Sequence, residues 1–513
     1  MSSTLWDHPD YIKLQPDWIL YRDLYEGEHD VMSQPKYLWP YDIEGSLQGS
    51  AAGLYQNRQL RSRYTNISEM LVDIWNGLFF RREPTIPENV VQMFGDSYED
   101  VDGEGTSFDS FIRDKMSISD LVYGQVITFV DSFASEAQTV GQAKADGQRP
   151  FLKLINPLDF RDWQKEASRG DRLNRFNFCR YEFCDIPPRA SINQEPKLVR
   201  FSKALVLDGG QYIQKLYREV SEDDLKQNPK LKDLVSKNKN GEYWQLLNET
   251  AIAGMDELPI VVSSGKSWLK ATSQIALRHY NIESALDNVN YYAAFPIKYF
   301  TGIESEQAKI ALSAYTALFL PEGASAGMLE PQEPVALEKR LDQALDTFFK
   351  VGFKQTRQLS QDSKAAQSSE SRNEERDNLI ALIQARQERL ESAINRSVEN
   401  FARFQGKENF ESKVELAHAI TEQEIETLLK LYLSVRGDLE RFKLSETTKQ
   451  FVSAITSRAE LSDPEAAKEE IQRGVTSSGF SQQGDLASKI EEASGDGRKP
   501  ADRGVSQETR PGN

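Results

Sequence analysis

The sequence predicts an α+β fold, predominantly helical, and three stretches carry that prediction. Pro334 to Gly406 reads as a helix, a small polar loop and a much longer helix. Thr272 to Ala294 reads as another helix, ended by Pro296. Between Phe151 and Tyr217 the pattern is β-rich: Lys197–Leu207 and Gln211–Tyr217 flank Asp208-Gly209-Gly210, a turn that supplies positive φ cheaply and signals a hairpin.

At 513 residues the chain can bury a large core and is expected to form two or more domains. Its 62 Lys and Arg against 79 Asp and Glu give a formal charge of −17, which argues against a tight grip on nucleic acid. A chain that surrounds DNA without holding it stays compatible with that balance. No run approaches the roughly twenty apolar residues of a membrane span, and Met1-Ser2-Ser3-Thr4 has no signal character. The expectation is a soluble, cytoplasmic chain. The two cysteines, Cys179 and Cys184, fall on opposite faces of a strand and read as buried structural thiols.

In chain order, Trp18–Tyr25 reads as a helical turn or two, followed by the aromatic stretch Lys36-Tyr37-Leu38-Trp39-Pro40. Tyr55 then opens a helix toward Phe80, striped by Leu60, Tyr64, Ile67, Leu71, Ile74 and Leu78. Arg81-Arg82 follow its last turn, where positive charge meets the negative helix end. A helix from Ser107 passes through Tyr123-Gly124 into the strand Val126–Val130. Residues 133–149 read as a surface loop and 221–241 as a solvated insertion without apolar periodicity; Glu242–Leu246 resumes a strand. Gly265-Lys266-Ser267 resembles the end of a phosphate-binding loop. The full pattern needs a glycine where Ile260 stands, so no ATPase activity is expected.

The Thr272–Ala294 helix carries Ile275, Ile282, Leu286, Val289 and Ala293 on a narrow stripe. Residues 295–334 form a compact insertion with strand-like Ile297–Thr301 and Ala317–Leu320. After Pro334, Leu337, Leu341, Leu345, Phe348 and Gly352 recur at helical spacing. The loop Ser360–Ser369 has no large apolar residue and so must face water. From about Asn373 the stripe of Leu379, Ile383, Leu390, Ile394, Val398 and Phe401 runs to Gly406. Thirty such residues would span roughly 45 Å, which suggests a structural rod rather than a catalytic pocket. Beyond it, Ser412–Ala417 looks strand-like, Thr421-Glu-Gln-Glu424 is a capping box, Ser445 caps a further helix, and the chain after Gly474 is too polar to order.

This succession of parts resembles the portal protein of tailed bacteriophages. The pieces that carry the resemblance are Tyr37-Leu38, the Tyr55-Gln-Asn-Arg helix, Gly77–Pro84, Phe108-Asp-Ser-Phe111 to Tyr123-Gly124-Gln, and Arg149-Pro150 leading to Asn156-Pro157. The fullest match is Arg278–Asp287 running to Phe295-Pro296 and Gly302, with Ile420-Thr421-Glu and Leu444–Thr448 behind it. It covers roughly residues 10–470, as a sequence of modules more than position by position.

The resemblance implies a portal fold. Residues 1–265 would be the wing, β-rich over about 151–250, and 266–294 the descending stem helix. Residues 295–334 would be the clip, 335–358 the ascending stem helix, 359–372 a tunnel loop and 373–406 a long crossing helix. A crown over 407–474 and a disordered tail over 475–513 complete it. The implied role is a twelve-fold ring at one capsid vertex. It docks the terminase large subunit, conducts double-stranded DNA in packaging and ejection, and joins the head–tail adaptor and the major capsid protein. Such a protein resides in the virion after assembly in the host cytoplasm, without membrane, metal or cofactor. The loop residues Gln361, Asp362, Ser363, Lys364, Gln367 and Ser368 would face DNA, and Ile282, Leu286, Val289, Leu341 and Leu345 would line the stem. Twelve copies at −17 carry about −200, which repels phosphates and suits a sliding wall. An enzyme is disfavoured because the four histidines, His8, His29, His279 and His418, lack motif company. The alternative from another class is a helical scaffold or minor capsid protein.

Overall fold

The computed structural model describes residues 5–41, 44, 52–132, 149–165, 175–187, 197–227, 229–238, 240–252, 255, 257–294, 297–301, 325–329, 334–353, 369–407 and 409–417. All of them fall in one compact unit, Met1–Glu426. Helices of ten residues or more are α1 Pro9–Glu26, α2 Ala52–Arg61, α3 Ile67–Phe79, α4 Ser273–Ala294, α5 Val335–Gly352 and α6 Ser369–Phe404. The strands are β1 Gln125–Ser132, β2 Pro150–Leu154, β3 Phe160–Lys165, β4 Phe176–Asp185, β5 Val199–Asp208, β6 Gln211–Val220, β7 Val235–Lys237, β8 Tyr243–Ile252, β9 Ile260–Ser264, β10 Ile297–Thr301 and β11 Ser325–Leu329. The architecture is α+β with antiparallel sheets.

Three layers build the body. A six-stranded sheet, in the order β3-β4-β5-β6-β8-β7, packs on a three-stranded sheet ordered β2-β1-β9. Ile127, Phe129 and Ile260 of the small sheet meet Phe160, Phe176, Cys179, Tyr181, Leu205 and Tyr212 of the large one. The opposite face of β1 lies under α6, where Thr128 and Ser397 hydroxyls hydrogen-bond at 2.6 Å. A central strand covered on both faces reads as a continuous apolar run, and Val126-Ile-Thr-Phe-Val130 is such a run. Its one polar side chain is satisfied across the helix.

Several elements follow the sequence reading closely. β5 and β6 join through Gly209-Gly210 at φ 56° and 82°, which the two-residue hairpin turn demands. α4 and α6 form where the periodicity places them, and Gly406 at φ 81° ends α6 while Lys407 N–H bonds back to Ala402 O at 2.9 Å.

Other elements differ, each for a local reason. The single helix expected from Tyr55 to Phe80 is two, α2 and α3, and Leu60 is 74% exposed. Asn66 interrupts it: its side chain accepts from Glu69 N–H at 3.1 Å and donates to Glu69 Oε2 at 2.8 Å, a reciprocal cap inside the apolar stripe. At the N-terminus, α1 is longer than the turn or two expected, running through Pro16 with Tyr11, Trp18 and Leu24 buried. Packing outweighs the hydrogen bond that proline removes. Cys184, expected to be buried, is exposed, whereas Cys179 is buried and its thiol pushed up by that burial. The supposed insertion 221–241 contains the helix Glu222–Gln227 and β7, with Leu225 buried. The strand-like Ser412–Ala417 makes one isolated bridge, Glu415 with Thr85.

Candidate functional site: a helical hairpin and its anchor

α4 and α5 pack on each other, and the chain between them supplies a two-stranded sheet. β10 pairs with β11, Ile297 opposite Leu329 and Thr301 opposite Ser325. The second strand expected at Ala317–Leu320 lies outside the described residues. The stretch 325–329 gives no strand signal because Gly327 interrupts its apolar pattern; in the hairpin Gly327 pairs with Tyr299.

The hairpin is anchored at Trp268, which is 2% exposed. Its indole N–H donates to Gly352 O at 3.0 Å, tying the start of α4 to the end of α5, so the helices run antiparallel. Its ring lies 4.5 Å from that of Trp75 on α3 and beneath the Arg386 guanidinium of α6. Gly352 is where α5 meets the body: a Cβ there would come within 2.8 Å of Leu71. α5 ends at that point, short of the expected 358, because the Gly352 carbonyl is taken by the indole and Phe353 closes the helix on Phe349 O.

A buried ion cluster fixes α6 beside this anchor. Asp120 accepts from Arg386 Nε at 2.5 Å and from Arg389, while Arg386 also donates to the Asp120 carbonyl. Burial pulls the Arg386 pKa down and Asp120 opposes it. Gly265-Lys266-Ser267 lies in the same junction. The Ser267 hydroxyl donates to Val122 O at 2.5 Å and accepts from Leu269 N–H, and the Lys266 carbonyl faces Arg386. This triplet follows an antiparallel strand and is engaged in holding a turn.

α4 is gripped along a polar stripe that apolar periodicity could not reveal. Asn281 donates to Tyr37 O at 2.9 Å and accepts from Trp39 N–H at 2.7 Å. Ser284 meets the Ser62 hydroxyl at 2.7 Å and Arg58 at 3.1 Å, and Asn288 accepts from Arg61 at 2.8 Å. Arg58 is itself buried against Glu44 at 2.8 Å. The signal available in the sequence was the spacing of Asn281, Ser284 and Asn288 on one helical face.

The stem candidates fall elsewhere. The side chains of α4 buried in the chain are Ser273, Ala276, Leu277, His279, Tyr280 and Ser284; Ile282, Leu286 and Val289 are only half-buried. On α5, Ala344, Phe348, Phe349 and Gly352 are buried, Leu341 and Leu345 half-buried, and Val335 57% exposed. Among the described residues the hairpin is thus seated in the body at one end, and toward the other Tyr291 and Val335 are exposed. The channel candidates Gln361, Asp362, Ser363, Lys364, Gln367 and Ser368 lie outside the described residues. Ser369 to Arg372, assigned to the loop from sequence, belong to the first turn of α6. The crown and tail beyond residue 417 also lie outside. Among the described residues there is no cluster of three metal-ligating side chains, and no helix is long and apolar enough to cross a membrane.

A family model described as a domain of unknown function, DUF4055, matches residues 268–405. The match starts on the anchor Trp268 and ends one residue past α6, so it contains the hairpin and the long helix together. No curated protein matches the chain.

Proposed function

We propose that the chain is the subunit of a bacteriophage portal, a closed ring at one capsid vertex through which DNA is packaged and ejected. The observation that carries the reading is the α4–hairpin–α5 unit followed by α6. Two antiparallel helices rise from a buried anchor and are joined by a small sheet, and the next helix, 36 residues or about 54 Å long, packs across the body. Side chains on α4 and α5 that the chain leaves half-covered, Ile282, Leu286, Val289, Leu341 and Leu345, would be covered by neighbouring copies. In this reading residues 359–368 are the channel loop, and the terminase large subunit, head–tail adaptor and major capsid protein are the outer partners. The chain has no catalytic part to play. The protein resides in the virion, having assembled in the host cytoplasm.

Electron microscopy of the purified full chain tests the reading: rings near twelve-fold are expected, and a uniform field of monomers or dimers contradicts it. Deleting 362–368 is expected to leave rings intact and to impair DNA packaging or retention. Loss of rings on that deletion would remove the loop from the channel.

A further inference from the structure

α4 carries a titratable pair, buried His279 and half-buried Glu283, that neither the anchor nor the ring uses. His279 is 4% exposed and sits one turn before Glu283, whose Oε1 accepts a 2.8 Å hydrogen bond from Thr65 in the connector between α2 and α3. His279 Nδ1 and Glu283 Oε2 are buried, lack a hydrogen-bond partner among the described residues, and stand 3.7 Å apart. Two unpaired buried polar atoms facing each other are costly, and a small side-chain rotation closes the gap to a hydrogen bond. The question is where its proton sits.

The neighbours are acidic. Asp342 faces His279 from α5, while Asp287 on α4 itself and Glu28 from the short helix Glu28–Ser33 face Glu283. Arg63 lies beside Asp287, and the Tyr64 and Tyr280 phenols border the carboxyl. From α2, Arg58 is engaged by Glu44 and Arg61 by Asn288. A cationic imidazole would have to be desolvated, and so would a carboxylate among other carboxylates. Accordingly burial pulls the imidazole down to about 4, against Asp342, and pushes the carboxyl up to about 7, against the Thr65 hydrogen bond.

We propose that His279 and Glu283 form one neutral, proton-sharing pair on α4, the Glu283 carboxylic acid donating to His279 Nδ1 while its other oxygen accepts from Thr65 of the connector. In the unfolded chain the same proton sits on the imidazole between the ordinary values of 4.5 and 6.5. Folding therefore moves the proton from His279 to Glu283 without net uptake, and the pair makes stability flat across that window. Each partner alone has a slope. Glu283, raised on folding, contributes stability that is lost as pH rises from 4.5 through about 7. His279, lowered on folding, contributes stability that is lost as pH falls below 6.5 toward about 4.

The test combines two variants with one measurement on the unaltered full chain. His279→Gln is expected to show a denaturation midpoint that falls as pH rises from 5 to 7, and Glu283→Gln one that falls as pH drops over the same interval. The wild type is expected to stay flat relative to both. Histidine C2–H exchange read by mass spectrometry needs no variant: His279 is expected to show no inflection near 6.5, the ordinary imidazole value. An inflection of His279 near that value, or two variants that both keep the wild-type profile, would overturn the proposal.

Discussion

α6 and the α4–α5 hairpin present the same kind of apolar stripe and put it to different uses. On α6, Ile383, Leu390, Ile394, Val398 and Phe401 are each 2% exposed or less, covered by the chain's own β1, β9 and Phe94. On α5 the stripe read from sequence is buried only at its anchored end, Phe348 and Gly352, while Leu341 and Leu345, like Ile282, Leu286 and Val289 on α4, are half-covered, and α4 is held instead by Asn281, Ser284 and Asn288. Periodicity states which face of a helix avoids water. It does not state whether the same chain supplies the cover.

That contrast predicts a descending series of effects on subunit stability. Phe401→Ala opens a cavity against Phe94 and is expected to cost about 3–5 kcal/mol, read by chemical denaturation. Asp120→Ala strands the buried Arg386 and is expected to cost a similar amount, about 3–5 kcal/mol; a change under about 1 kcal/mol would mean water reaches the cluster. Trp268→Phe leaves a smaller ring where the indole filled the site and Gly352 O without its donor, for an expected loss of about 1–3 kcal/mol from the hydrogen bond with a cavity cost added to it. Leu286→Ala and Leu341→Ala are expected to cost the isolated subunit under about 1 kcal/mol each while weakening assembly. Were they to cost as much as Phe401→Ala, the distinction between the two stripes would vanish. A thiol reagent is expected to modify Cys184 in the folded chain and Cys179 only on unfolding.

The legible parts of the fold were those whose causes are local. α5 starts after Pro334, α6 ends at Gly406, and the β5–β6 hairpin turns at Gly209-Gly210, all through backbone rules that act within a few residues. The body β1 strand was legible because burial on both faces leaves a continuous apolar run. What escaped depends on partners far along the chain. The break between α2 and α3 is capped by Asn66 within a stripe that stays apolar through it. Helical Pro16 needs the packing of α1 against distant residues such as Leu158, whose carbonyl accepts from Tyr11 at 2.9 Å. Arg386 and Asp120 are separated by 266 residues, and nothing in either neighbourhood marks them as partners. The candidate site divides the same way: its helices were visible, while its anchor at Trp268 and its polar grip were not.

The ring requires that other copies of this chain cover the half-buried Ile282, Leu286, Val289, Leu341 and Leu345 of α4 and α5. Mass photometry of the purified full chain at micromolar concentration, beside a Leu286→Asp/Leu341→Asp double variant, tests it directly. A single species near twelve subunits is expected for the wild type and folded subunits for the variant. A wild type that remains a folded monomer, or a variant that assembles as the wild type does, would contradict it.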